Sequence, residues 1–178
     1  MSFAIKDQLE KIFRESASSD ELFDNFQQAL AHRLIDADLY KILLGNMALS
    51  VDEIKMFTDK LCTEFKDISY DLYLWAGNIL ENMSDRYNIE NAFHYYKKAI
   101  DCNPQEYTPY SLLVRMYNPE LDIPPKHNLL NLFERGLAEV KSKSHLCRTI
   151  AGFYKKLENQ VMVKKYMAMA AKYSRQGI

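Results

Sequence analysis

Glycine and proline are scarce, five of each in 178 residues, so tight turns are few. Valine (5) and threonine (4) are sparse beside 21 leucines, a balance that favours helix over a β-sandwich or a parallel sheet. Cysteine is limited to Cys62, Cys102 and Cys147, an odd number spread widely along the chain. They make no disulfide framework and suit a reducing, cytoplasmic setting. No apolar run approaches the roughly 20 residues that a membrane span needs. Met1 to Phe13 interleaves Lys6, Asp7, Glu10 and Lys11 with apolar residues, so it reads as an amphipathic helix and not as a signal peptide. What remains is the composition of a globular protein, 48% apolar and 26% charged with a net charge of −1.

Enzyme motifs are also missing. There is no Gly-x-Gly-x-x-Gly, P-loop, His-Glu-x-x-His or Gly-x-Ser-x-Gly. His32, His94, His127 and His145 stand apart, with no His or Cys partner at metal-ligand spacing. The expectation is a protein without catalysis, metal or cofactor.

Apolar spacing is helical nearly throughout. Phe3, Leu9, Ile12 and Phe13 mark a first helix, Leu22, Phe23, Phe26, Ala29, Leu30 and Leu34 a second, and Leu39, Ile42, Leu43 and Met47 a third. Ile54, Phe57, Leu61 and Phe65 mark a fourth. Ser18 with Glu21, and Ser50 with Glu53, have the spacing of capping boxes ahead of the second and fourth helices.

The second half repeats. Tyr73, Ala76, Gly77 and Leu80 stand at offsets 0, 3, 4 and 7. The same offsets hold Tyr110, Leu113, Val114 and Tyr117, then Cys147, Ile150, Ala151 and Tyr154, at steps of 37 residues. A second helix follows in each unit, marked by Ala92, Tyr96, Ala99 and Ile100, by Leu129, Phe133, Gly136 and Leu137, and by Val163, Met167, Ala170 and Ala171. Slim residues let two antiparallel helices approach, and the large ones fill the space toward the next pair. One pair cannot cover its own apolar face, so pairs must stack.

This pattern resembles the tetratricopeptide repeat, most closely from Tyr73 to Pro104, with Ala92, Tyr95, Tyr96, Ala99 and the closing Pro104. The last unit lacks the family's closing proline. The resemblance implies an all-α fold of nine or ten helices, a short right-handed solenoid of antiparallel pairs. Residues 1–69 read as helical hairpins, and residues 70–178 as three pairs (70–106, 107–143 and 144–178), in one continuous structure. It also implies a non-catalytic module that binds a protein or peptide, as adaptor, scaffold or chaperone. A secretion-type chaperone and a nucleic-acid-associated protein are the alternatives.

The first helix of each pair lines the groove in that family. The implied groove residues are Asn78, Ser111, Arg115, His145, Arg148 and Lys155. The family's carboxylate clamp is not reproduced, because Leu74, Leu112 and Thr149 replace its other polar members. Arg115 and Arg148 point instead to a peptide with acidic groups.

The last helix carries two apolar stripes. Val163, Met167, Ala170 and Ala171 are expected to pack inward. Met162, Tyr166, Met169 and Tyr173, at i, i+4, i+7 and i+11, are then left as an interface for a second copy or a partner, the rival being that a bent solenoid folds this stripe onto its own N-terminal helices. Charge is polarised as well. Residues 1–125 hold 12 Lys+Arg and 21 Asp+Glu, whereas residues 126–178 hold 11 and 3. A basic end of this kind suits an acidic peptide or head-to-tail contact with an acidic half; nucleic acid, anionic lipid and a plain solvated face are the alternatives.

Overall fold

The computed structural model describes residues 2–83 and 86–176. Among them the chain is all helical: α1 (Ser2–Glu15), α2 (Ser19–Ala31), α3 (Ala37–Leu44), α4 (Val51–Glu64), α5 (Ser69–Glu81), α6 (Arg86–Cys102), α7 (Thr108–Met116), α8 (Lys126–Glu139), α9 (Lys143–Lys156) and α10 (Gln160–Gln176). A short 3-10 turn, Lys66–Ile68, precedes α5. No strand is present among the described residues, and the only β feature there is an isolated bridge between Asn118 and Ile123. Contacts divide the chain into two compact units, Met1–Ile79 and Leu80–Ile178, so the division falls inside α5.

In the first unit, α1 packs on α2 and α3, and α3 on α4. Leu9, Phe13, Leu22, Phe26, Leu39, Tyr40, Leu43, Phe57 and Leu61 are buried together, the rings of Phe26 and Phe57 4.4 Å apart. Asn46, just past α3, ties the turn to α1. Its side-chain amide donates to the carbonyls of Phe13 (2.9 Å) and Ser16 (3.0 Å), two of the acceptors left open where α1 ends. Met47 lies beyond α3 and is 97% exposed, so it does not continue that helix's apolar face.

The two caps differ. Ser50 and Glu53 form the full box, with Ser50 N–H donating to Glu53 Oε2 (2.7 Å) and Glu53 N–H to Ser50 Oγ (3.3 Å). Ser18 accepts from Glu21 N–H, but the Glu21 carboxylate accepts from Ser16 Oγ (2.6 Å) and leaves the box half made.

In the second unit, α7 packs on α6, α8 and α9, α8 packs on α9, and α9 packs closely on α10. The repeat positions are its core. Tyr96, Ala99, Ile100, Tyr110, Leu113, Leu129, Cys147 and Ile150 are wholly buried. Gly136 shows why a slim residue is needed. A Cβ there would sit 2.9 Å from Tyr110 Cε1 and 3.0 Å from Leu146 Cδ2, so glycine sets how closely α8 approaches α7 and α9. The connection from α7 to α8 runs over residues 117–125. Asp122 Oδ1 gathers it by accepting from Tyr117 Oη (3.1 Å) and Lys126 N–H (2.9 Å). Cys62, near the end of α4, is buried, as is Cys147, while Cys102 is exposed.

Candidate functional site

Of the implied groove residues on the second unit's first helices, Ser111 and Arg115 lie on α7 and His145, Arg148 and Lys155 on α9. All five are exposed, beside buried neighbours on the same helices. Asn78 lies on α5 in the first unit and is half-buried.

Arg115 is not a free cation. Its Nε donates to Glu81 Oε1 (3.0 Å) and its Nη2 to Glu81 Oε2 (2.6 Å), while Tyr96 Oη donates to the same Oε2 (2.6 Å). The carboxylate raises the Arg115 pKa further. Burial, and then the hydrogen bond to Glu81, push the Tyr96 hydroxyl far above the ordinary phenol range. Lys156 Nζ donates to the carbonyls of Arg115 (2.8 Å) and Tyr117 (2.9 Å), and so closes the open end of α7. Burial lowers the Lys156 pKa. This cluster joins α5, α6, α7 and α9 by side-chain bonds. Arg115 thus holds a structural pair with Glu81 while its side chain stays 52% exposed.

The other groove candidates are less committed. His145 stacks on Tyr107 at 4.9 Å, and its Nδ1 is 2.5 Å from Ser142 Oγ. Arg148 Nη2 donates to Ser174 Oγ (3.2 Å), which also pairs with Ser144 Oγ (2.6 Å) and links the start of α9 to the end of α10.

On α10 the inward face differs from the expected one. Ala170 is buried and Val163 half-buried, but Met167 is 49% exposed and Ala171 is exposed. Met162, Tyr166, Met169 and Tyr173 are half-buried instead, and Tyr166 stacks on Tyr154 of α9 at 5.6 Å. Two aromatic rings bury more apolar area than a methionine and an alanine would, so the helix turns its tyrosine stripe toward α9. The stripe expected to serve as an interface is therefore half-buried, with Tyr166 held against Tyr154 of α9.

The surface left outside is cationic. From Lys143 to Gln176 the hairpin carries eight Lys and Arg against one acidic residue, Glu158. Among the described residues, none of Lys143, Lys155, Lys164, Lys172 and Arg175 forms an ion pair. A concavity of about 460 Å³ on this face is lined by Ala168, Ala171, Lys172, Arg175 and Gln176. The first unit has a concavity of similar volume floored by Phe13, Ile42 and Trp75, but the cations at its edge are neutralised, Arg14 by Glu10 (2.9 Å) and Lys41 by Asp38 (3.0 Å).

Sequence reasoning missed Glu81, Lys156 and the outer face of α10. Glu81 had a readable signal, because it precedes Arg115 by 34 residues, the same separation as Asp101 from Arg135, its partner at 2.5 Å. Among the described residues, no group of three or more His, Cys, Asp or Glu is placed to hold a metal ion. No helix there is long and apolar enough to cross a membrane. Compared with protein-family models, curated proteins and solved structures, the chain matches none.

Proposed function

We propose that the chain is a non-catalytic protein-binding module, an adaptor, scaffold or chaperone built from tetratricopeptide-like helix pairs in a short right-handed solenoid. Its partner is an acidic protein segment. The observation that carries this reading is the exposed polar row on two packed helices, Ser111 on α7 with His145, Arg148 and Lys155 on α9, above a core made of the repeat positions. Side chains held on packed helices bind with little ordering cost, which is what a recognition surface needs. The unpaired charge of α9 and α10 supports an acidic partner over a neutral one. The three free cysteines suit a reducing compartment.

The test is affinity capture from the source cells with the intact chain and with Arg148→Glu/Lys155→Glu, both folded by circular dichroism. The reading expects a protein enriched by the wild type and lost by the variant. Capture of no protein by the wild type, or the same proteins at the same yield with both, contradicts it.

A further inference from the structure

We propose that the outward face of α10 is a docking surface, and that its occupant is an acidic, amphipathic segment of a partner protein lying along the helix. This rests on the protein-binding reading and names a second face, apart from the α7 and α9 row. Lys164, Ala168, Ala171 and Arg175 stand at i, i+4, i+7 and i+11, so they share one side of the helix, and all four are exposed. Lys172 flanks them. The two alanines leave the concavity of about 460 Å³ between the cations, with Lys172, Arg175 and Gln176 at its rim. Carboxylates placed along this lane would meet cations that have no ion-pair partner among the described residues.

Apolar exposure on the same helix decides between polyanions. Val161 is 77% and Met167 49% exposed, beside the cations. A nucleic-acid backbone would use the charges and leave these two side chains wet. An amphipathic protein segment covers them while its carboxylates meet Lys164, Lys172 and Arg175. A second copy docking by this same face would set like charges against each other. The first unit of a second copy holds 14 Asp+Glu against 8 Lys+Arg, but they are spread over several helices and not along one line.

The experiment is fluorescence anisotropy of the intact chain with two probes, a labelled peptide of about 20 residues mixing Glu with Leu and Ala, and a generic duplex of equal charge. Two double variants change exposed positions only. Lys164→Glu/Lys172→Glu reverses the charge, and binding of the peptide is expected to fall about tenfold or more at low salt. Ala168→Arg/Ala171→Arg adds positive charge but fills the concavity, and arginine keeps the helix. Peptide binding is expected to fall about tenfold there too, while duplex binding rises. Stronger peptide binding by the arginine variant, tighter binding of the duplex than of the peptide by the wild type, or no peptide binding overturns the proposal. Sedimentation is run alongside. Self-association of the wild type that the glutamate variant abolishes also overturns it, by making a second copy the occupant. If the peptide ignores α10 while cellular capture still depends on Arg148 and Lys155, this inference falls and the protein-binding reading stands.

Discussion

Arg115 grips Glu81 at two points, Nε on Oε1 at 3.0 Å and Nη2 on Oε2 at 2.6 Å, and so ties α7 to the last residue of α5. A carboxylate at a helix C-terminus faces the negative end of the helix dipole, and the guanidinium offsets that. The Glu81 side chain is only 16% exposed, whereas that of Arg115 is 52% exposed, so the two partners are not equivalent.

That asymmetry predicts unequal costs. Glu81→Ala leaves the buried Tyr96 hydroxyl without its acceptor and costs about 1–3 kcal/mol. Arg115→Ala leaves Tyr96 bonded and loses a largely solvated partner, for about 1 kcal/mol or less. Glu81→Gln keeps an acceptor and falls between them. Urea unfolding of the three variants checks the order, and equal losses for Glu81→Ala and Arg115→Ala would show that Tyr96 does not depend on Glu81.

Gly136→Ala should destabilise although alanine is the better helix former. The helix gain is about 1 kcal/mol. Against it stands a methyl group 2.9 Å from the rigid Tyr110 ring and 3.0 Å from Leu146, and overpacking of this kind costs about 1–3 kcal/mol. The expected net is a modest loss in thermal unfolding. A more stable variant would mean that α8 can move away from α7 and α9.

Tyrosine burial sets an alkaline limit. Burial pushes the Tyr110 hydroxyl up to about 12, and those of Tyr40 and Tyr96 also rise, by burial first and then by nearby carboxylates. The folded state holds the neutral phenol more tightly than the unfolded chain, whose phenols titrate near 10 (roughly). This contribution is therefore whole below about pH 10 and is lost as pH climbs toward 12. Tyr110 Oη has no hydrogen-bond partner among the described residues, so Tyr110→Phe should cost little at neutral pH and flatten the alkaline decline. Urea midpoints against pH, read with phenolate absorbance, check both parts.

Much of the fold could be read from residue spacing, because local periodicity and caps act within a few residues. The Ser50–Glu53 box forms in full, and the positions at offsets 0, 3, 4 and 7 hold buried Tyr110, Leu113, Val114 and Tyr117. The candidate site was less readable. The pairing of Arg115 with Glu81, distant in sequence, is a tertiary contact that residue spacing does not show. On α10 two stripes of similar apolar content compete, and the choice turns on Tyr154, a residue of the neighbouring helix that stacks on Tyr166. Helical spacing marks both stripes but does not rank them, since the ranking is a tertiary contact. Cys62 sits near a helix end yet is buried, for the same kind of reason.

The most direct test of the account is zero-length carbodiimide cross-linking of the intact chain to the protein it captures from cells, mapped by mass spectrometry. Amines join only carboxylates in contact, so the product reports which face meets an acidic segment. The account predicts links from Lys155, Lys164, Lys165 and Lys172 to Asp and Glu of the partner. Links that involve only the carboxylates of residues 1–79 and lysines of the partner would contradict it.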